Sequence, residues 1–307
     1  MASLRDIRTR IASVKNTQQV TRAMKMVAAA KLRRAQERIF STRPYAFKLR
    51  EIINEIQGKV DPAVHDLFDR REEMGQVLVI VVTADRGLAG AFNTNVIKEA
   101  ESAISGRFAS FRDSGHLDLV CIGRKGHEHF KKRGYTLVGD YRGVFHELDF
   151  SRVVDIVDIV IRGFRSKRWD GVWVVYNEFR NTISQNRVVE PFLPVPTKEF
   201  VTPVMEISED YVSPTTSDQG VDFIFEPGTE EILEVLLPRY LHFQMWRAML
   251  ESNAAEQGAR MVAMDNATTN AGELLRGLQL RYNQARQAAI TKEILEIASG
   301  AEALAKQ

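Results

Sequence analysis

A heptad repeat at the amino-terminal end of the chain restricts what this sequence can fold into. Between residues 4 and 56, positions spaced alternately three and four apart are mostly apolar, the pattern of a helix that packs lengthwise on another helix. At about 1.5 Å per residue such a helix is about 80 Å long, longer than a compact domain is wide. The heptad positions are Leu4, Ile7, Ile11, Val14, Gln18, Thr21, Lys25, Ala28, Leu32, Ala35, Ile39, Thr42, Ala46, Leu49, Ile53 and Ile56.

Three polar residues and a proline interrupt this stripe. Gln18, Thr21 and Lys25 occupy heptad positions, as expected where a seam slips or where another surface takes over the contact. Pro44 is predicted to kink the helix and not to end it, because the pattern resumes at Ala46.

The carboxyl-terminal end of the chain carries a second heptad pattern, over residues 250–289. We expect its helix to begin near Thr229, a residue type that caps helices, and to tolerate Pro238 because it comes early. A second apolar phase follows the first. It comprises Ile290, Ile294, Ile297, Ala301 and Leu304.

Three glycines, Gly258, Gly272 and Gly277, lie inside this second predicted helix. Each costs about 1 kcal/mol relative to alanine in an exposed helix. We therefore expect another backbone to approach closely at these positions.

A different pattern lies between the two heptad regions. Residues 76–83, 117–122 and 171–177 are predicted to be buried strands, and helical stretches over 93–111, 125–133 and 150–164 alternate with them. This alternation favours an α/β layer with mainly parallel strands. Residues 191–228, rich in prolines, acids and Ser/Thr, are predicted to form a loop or hairpin region.

The predicted fold class is therefore α/β, with a long antiparallel two-helix coiled coil and a central Rossmann-like domain. Two heptad helices separated by a globular block can bury each other's apolar stripes if the chain folds back so that they pair antiparallel. The alternative, that each belongs to an ordinary helical bundle, stays open on pattern alone. The predicted boundaries are 1–59 for the amino-terminal helix, 75–197 for the α/β domain, 198–228 for an acidic loop or hairpin and 229–307 for the carboxyl-terminal helix.

Charge is distributed unevenly along the chain. Residues 1–59 hold fourteen Lys/Arg against four Asp/Glu, whereas residues 199–234 hold ten Asp/Glu and no Lys/Arg. This asymmetry indicates different neighbours at the two places. The single cysteine, Cys121, fits a reducing compartment. The longest aliphatic run, residues 77–82, is far shorter than a membrane span, so we expect no direct membrane span.

The glycine-bearing segment TADRGLAGAFN, residues 83–93, invites a nucleotide-site interpretation. It has neither the lysine and hydroxyl of a phosphate-binding loop nor the glycine spacing of a dinucleotide fingerprint. His127 and His129 are two apart on a predicted helix and so cannot converge on one metal, which favours solvent exposure for both. Asp85 beside Arg86 is expected to be a loop ion pair or a cap. We predict no catalytic, cofactor-binding or metal-binding residues.

Two other classes of function compete at this point. A nucleotide-using α/β enzyme predicts catalysis by the isolated chain, which the missing phosphate loop disfavours. A basic coiled-coil nucleic-acid-binding or scaffold protein would use the cationic residues Lys31, Arg33, Arg34 and Arg38. Because the heptad face already packs on a partner helix, we interpret this basic patch as a solvent-exposed face or as a face that an acidic protein surrounds.

Four segments resemble ATP synthase gamma subunits. They are TRAMKMVAAAKLRRAQ (21–36), VVTADRGLAGAFN (81–93), ARMVAMDNATTNAGELL (259–275) and ARQAAITKEILEIASGAEAL (285–304). The last is similar to the family's carboxy-terminal signature, and the resemblance covers nearly the whole chain in order. The loop over 203–220 is longer than expected for the family, and the paired-cysteine insertion of chloroplast members is absent.

The resemblance implies a central rotor shaft, which couples ion-driven rotation of a membrane ring to ATP synthesis or hydrolysis on beta subunits. The implied partners are a hexamer of alpha and beta subunits, an epsilon subunit and the membrane c-ring, with one copy of the chain per complex and no nucleic acid. The implied location is peripheral, on the cytoplasmic side of a bacterial inner membrane. The resemblance implies no cofactor.

The resemblance also implies three groups of contact residues. Positions that match beta-subunit contact or coupling residues are Met24, Lys25, Arg260, Arg286, Gln287, Thr291 and Glu293. Apolar or small residues that suit a sliding bearing at the tip are Ile294, Ile297 and Ala301. Positions near the rotor ring and the epsilon subunit are Phe223, Phe225 and Glu226. Arg260 and Glu293 keep a simpler interpretation as exposed coiled-coil positions.

Overall fold

The computed structural model describes residues 3–57, 65–71, 73–196 and 228–305. The predicted acidic loop therefore lies outside the described residues except for Gly228, and so do Phe223, Phe225 and Glu226. The helices are α1 (Leu4–Gln57), α2 (Phe92–Ser105), α3 (Ala109–Asp113), α4 (Arg124–Lys132), α5 (Phe150–Arg165) and α6 (Thr229–Ala305), with a short 3-10 turn at Asp66–Phe68. The strands are β1 (Val77–Val82), β2 (Leu117–Ile122), β3 (Gly171–Phe179) and β4 (Gln185–Leu193).

The chain divides into two compact units. The first, here the helical unit, comprises the described parts of residues 1–28 and 261–307, and the second, here the α/β unit, spans Ala29–Arg260. Helices α1 and α6 contribute residues to both units. Within the described residues, no helix is both long and apolar enough to cross a membrane.

The helical unit is an antiparallel pair of helices. Lys25 contacts Asp265 and Thr21 contacts Thr268, so numbers rise along one helix as they fall along the other. The heptad positions of this part of α1 are buried or half-buried, whereas most residues between them are exposed. The same holds on α6 for Met261, Met264, Thr268, Ala271, Leu275, Leu278, Tyr282, Ala285 and Ala289. The predicted antiparallel coiled coil is confirmed.

Helix α6 continues past the point where α1 begins. In an antiparallel pair the two residue numbers of each contact add to a constant, here about 289 from the Thr21–Thr268 contact. Leu4 is therefore level with about residue 285, and the part of α6 beyond it faces no described residue of α1. The apolar side chains of this part of α6 are exposed to solvent: Ile290 is 46%, Ile294 58% and Ile297 72% exposed.

The three helix glycines turn out to have different environments. A methyl group at Gly258 would lie 3.5 Å from the Thr182 Cα, so a neighbouring backbone does approach there. At Gly272 the nearest group is the side-chain amide of Gln18, 3.0 Å away, and at Gly277 nothing lies within 4 Å. The expectation of close backbone approach is correct for Gly258 and wrong for the other two.

Gly277 gives a prediction of increased stability. Because the site is exposed and empty, a Gly277→Ala variant should gain about 0.5 to 1 kcal/mol in unfolding free energy through reduced backbone entropy. Urea unfolding followed by circular dichroism would measure it. Gly258→Ala is the matched control, since its methyl group would also lie 3.3 Å from the Phe179 ring. Equal effects at both positions would contradict the packing difference.

Among the described residues, the α/β unit has one sheet with strand order β2-β1-β3-β4. Strand β1 pairs parallel with β2 and β3, and β4 pairs antiparallel with β3. The predicted mainly parallel sheet is confirmed. Strand β4 was not predicted, and from residue 191 onward the sequence favoured a loop. Its polar residues and Pro191 are the reason, because they are not typical of a buried strand. The single helix predicted over 93–111 is two helices, α2 and α3.

Both faces of the sheet are covered, which explains the unbroken apolar run of β1. Leu78, Ile80 and Val82 belong to the core shared with α5 and with residues 233–249 of α6. Val77, Val79 and Val81 belong to the core shared with α2. Strands buried on both faces are apolar at successive positions, as in α/β folds generally.

Candidate partner-contact surface

The loop after β1 is tied to neighbouring segments by a buried carboxylate. Asp85 is 5% exposed and accepts hydrogen bonds from the backbone N–H groups of Arg124 at 2.9 Å, Gly143 at 2.8 Å and Phe145 at 3.2 Å. The first of these lies in the opening turn of α4, where an N–H has no partner within the helix. Of the two expected roles, a loop ion pair or a cap, these contacts support the cap, which Asp85 provides to α4 from outside that helix.

Thr83, two residues earlier, completes this connection. Its hydroxyl accepts from the Gly126 N–H at 2.9 Å and donates to the Ile122 carbonyl at 3.2 Å. Gly123 has a φ of 96° and lies against the Thr83 carbonyl. The Thr83 hydroxyl and the Asp85 carboxylate therefore bond to backbone groups of the fold itself. This favours the interpretation of the 83–93 segment as tight turns.

Arg260 on α6 also contacts this loop. Its guanidinium lies 2.6 Å from the Glu256 carboxylate and donates to the Gly87 carbonyl at 3.2 Å. Its side chain is 11% exposed and that of Glu256 is 7% exposed. The interpretation of Arg260 as an exposed coiled-coil residue is therefore wrong, because the 83–93 loop packs against this turn of α6.

The Arg260–Glu256 pair gives a pH-dependent prediction. Burial raises the pKa of Glu256, and Arg260 opposes that shift. A carboxyl group whose pKa is raised by folding stabilises the folded state while it is protonated, and that stability is lost as pH rises through the folded-state pKa. At neutral pH an Arg260→Gln variant leaves the charged Glu256 buried without its cation, so it should cost about 2 kcal/mol of unfolding free energy. Near about pH 5, where Glu256 is more protonated, the cost should be smaller. Urea titrations at both pH values would measure this.

The control for this prediction is Arg33→Gln, since Arg33 forms an exposed pair with Glu37 on α1. Exposed pairs contribute little, so no pH-dependent loss is expected there. A loss for Arg260→Gln that is the same at both pH values would contradict the role assigned to Glu256.

The predicted contact residues of the helical unit lie at two levels. Met24 and Lys25 are half-buried on α1, and the Lys25 ammonium is 2.6 Å from Asp265. The remaining predicted residues lie on the exposed last part of α6, level with or beyond Leu4. They are Arg286, Gln287, Thr291, Glu293, Ile294, Ile297 and Ala301. Sequence reasoning missed Asp265, although its opposite charge at the matching heptad level was a usable signal.

The two histidines of α4 differ from the expectation of exposure. His127 is buried at 8% exposure, on the helix face that it shares with Gly126 and Phe130. His129 is partly buried and contacts Glu101 at 2.9 Å. The prediction is wrong for His127 because that face of α4 packs inward.

One His/Asp/Glu group in the described part of the chain has atoms close enough to hold a metal ion. It consists of His65, Asp66 and Glu234. The guanidinium of Arg165 lies 2.9 Å from Asp66 and 2.7 Å from Glu234, and His65 lies 2.8 Å from Glu234. Since the cation of Arg165 already neutralises both carboxylates, an ion-pair network explains the group. Sequence alone does not bring these residues together.

A second buried ion pair fixes α6 on the sheet. The Arg247 guanidinium donates to both Glu190 oxygens at 2.7 Å, and the Tyr176 hydroxyl donates to Glu190 at 2.9 Å. Burial raises the pKa of Tyr176 well above its usual value. This network joins β3, β4 and α6 within the α/β unit.

Comparisons with known proteins agree with this architecture. The family model described as ATP synthase matches residues 3–304. An ATP synthase gamma chain of Salinibacter ruber is 56% identical over 99% of both chains, and one of Chloroherpeton thalassium is 51% identical over 99% of both. A chain from the Euglena gracilis mitochondrial ATP synthase has a TM-score of 0.61 at 20% identity, covering 98% of this chain and 94% of its own, which shows a shared fold.

These matches define the class first: the chain is part of an ATP synthase family. The chain belongs to the ATP synthase gamma chain family.

Proposed function

We propose that this chain is the central rotor shaft of an F-type ATP synthase, coupling ion-driven rotation of a membrane ring to ATP synthesis or hydrolysis on beta subunits. The observation that carries the proposal is family membership over nearly the whole chain. The antiparallel helical unit, with α6 continuing past the start of α1, supports it as a stiff element that other subunits can surround.

The chain itself is non-catalytic in this proposal, and the sites of ATP chemistry lie on other subunits. The partners are a hexamer of alpha and beta subunits, an epsilon subunit and the membrane c-ring, with one copy of the chain per complex. The alternative of a nucleic-acid-binding coiled coil is not favoured, because the family match accounts for both heptad regions and for the α/β unit.

The residues that meet beta subunits are proposed to lie on the helical unit and at its border. Arg286, Gln287, Thr291 and Glu293 are exposed on α6, so their side chains are accessible to contacts that form and break as the shaft turns. Met24 and Lys25 present a second contact on α1. Arg260 contributes indirectly, since its guanidinium holds the 83–93 loop.

The tip of α6 is proposed to act as a bearing. Ile294 and Ile297 are largely exposed and Ala301 is exposed, although all three are apolar or small. Exposed apolar groups with no described partner in the chain mark a contact surface. An apolar surface has no hydrogen bonds that must break at each angle, so it slides without deep energy wells.

The remaining assignments follow the family resemblance. Phe223, Phe225 and Glu226 are proposed to contact the rotor ring or the epsilon subunit. The segments 1–59, 75–197, 198–228 and 229–307 stay a proposal for how the sequence is divided, beside the two compact units of the structure. The complex is proposed to hold the chain at the cytoplasmic side of a bacterial inner membrane.

Reconstitution tests this function. Purified chain mixed with alpha and beta subunits should raise ATP hydrolysis well above that of alpha and beta alone, because an asymmetric shaft makes the three beta sites take different conformations in turn. A variant lacking residues 286–307 is the control and should stimulate less. No gain with the full chain would overturn the proposal.

A further inference from the structure

The helical unit contains a polar layer within its otherwise largely apolar seam. The layer, defined as Gln18, Thr21 and Thr268, is joined across the two helices. The hydroxyls of Thr21 and Thr268 are 2.8 Å apart, and the Gln18 amide donates to the Thr268 carbonyl at 3.3 Å. Thr21 is buried at 8% exposure.

Hydrogen bonds within each helix orient the two hydroxyls. The Thr21 hydroxyl lies 3.1 Å from the Gln18 carbonyl, and that of Thr268 lies 2.7 Å from the Met264 carbonyl. When one hydroxyl donates to its own helix, it still accepts from the other across the seam. Gly272 leaves room for the Gln18 amide, which is 3.0 Å from where a methyl group would stand.

The layer distinguishes the native alignment from its neighbours. If α6 moved by one heptad so that pairs summed to about 296, Thr21 would face Leu275 and Thr268 would face Ala28. The opposite shift would place Thr21 against Met261 and Thr268 against Val14. Each alternative leaves the buried Thr21 and the half-buried Thr268 without their cross-helix hydroxyl partner, which is unfavourable.

The rest of the seam discriminates less, since the cross-helix Lys25–Asp265 pair is half-exposed and such pairs contribute little. From the layer to the start of α1 the facing side chains are aliphatic, small or aromatic, as at Ile11, Val14, Leu275 and Leu278. Apolar contacts of this kind are non-directional and tolerate sliding. A polar group at a core position of a coiled coil is a known way to specify register at a cost in stability.

We propose that the polar layer sets the axial register of α1 against α6 in the helical unit, and that it contributes specificity and not stability. The layer thereby fixes how far the exposed part of α6 continues beyond Leu4. Given the proposed function, this keeps the beta-contact residues at a constant level while the shaft carries load, although the register claim does not depend on it.

The test measures a distance distribution in the full chain. Cys121 is replaced by alanine, and spin labels are attached to Ala12→Cys and Gln279→Cys, both exposed and both between the layer and the start of α1. Pulsed electron resonance should give one narrow distance with the native layer. With Thr21→Val and Thr268→Val the distribution should broaden or shift, because a slip of one heptad moves the two helices about 10 Å along each other, while the thermal midpoint does not fall.

Two controls separate register from other effects. Thr17→Val with Thr269→Val makes the same chemical change at the adjacent, exposed positions and should leave the distribution narrow. Thr21→Ser with Thr268→Ser keeps both hydroxyls and should also leave it narrow. An unchanged narrow distribution in the valine pair would overturn the proposal, and so would broadening in the serine pair. If the valine pair fails to fold, the layer stabilises the unit and the proposal is wrong.

Discussion

A Gly123→Ala variant is expected to lose about 4 kcal/mol or more of folding stability. Gly123 follows β2 with a φ of 96° and a ψ of 147°, a conformation that is essentially restricted to glycine and costs other residues about 1 to 3 kcal/mol. The added methyl group would also press on the Thr83 carbonyl oxygen and lie 2.8 Å from its carbonyl carbon. Because both contacts are with backbone, which is held by the Thr83–Ile122 hydrogen bond, no side-chain rotation relieves them. Thermal melting and soluble yield would measure the loss.

The matched control is Gly134→Ala. Gly134 has a φ of 79°, but nothing lies within 4 Å of an added methyl group. Only the backbone strain of about 1 to 2 kcal/mol applies there. If the two variants melted at the same temperature, the close approach of the Thr83 backbone would not be the reason for glycine at position 123.

An Asp85→Ala variant is expected to be destabilised by about 3 to 5 kcal/mol, because three backbone N–H groups lose a charged acceptor. These N–H groups lie in α4 and in the 143–145 segment, so the loss of protection from amide hydrogen exchange should concentrate there. Urea unfolding gives the total effect, and amide hydrogen exchange of Arg124, Gly143 and Phe145 locates it.

Asp113→Ala is the control for Asp85→Ala. Asp113 is exposed and pairs with the neighbouring Arg112, an arrangement that contributes little. Faster exchange across the whole chain, with no excess at the three named amides, would contradict the specific role given to the Asp85 carboxylate.

The helical unit was predictable because the physics behind it is periodic. Heptad positions from both ends are the positions that the structure buries or half-buries, and the globular block between the two helices favoured their antiparallel pairing. Strands β1 and β2 were predictable for a related reason, since strands covered on both faces form unbroken apolar runs. Strand β4 was not, because it is an edge strand with polar residues and Pro191.

The contacts of the α/β unit escaped prediction because they join residues that are distant in sequence. Asp85 contacts backbone 39 and 58 residues away, and Arg260 reaches Gly87 over 173 residues. Nothing local marks these partners. For Arg260 this changes the expected phenotype, since a substitution there alters the 83–93 loop as well as any partner contact.

The proposed contact residues on α6 follow from family resemblance, and the structure adds their exposure. Ile294 and Ile297 differ from the polar residues of this group, because large apolar side chains that no described residue covers are unfavourable in water.

Rotation of the chain inside its complex tests the central claim most directly. Cys121 is buried, so a bead can be attached selectively at Lys132→Cys, an exposed position on α4, with the alpha and beta subunits fixed to a surface. If the chain is the rotor shaft, the bead turns in one direction while ATP is hydrolysed and stops when ATP is withdrawn. A bead that stays still while the same complex hydrolyses ATP would contradict it.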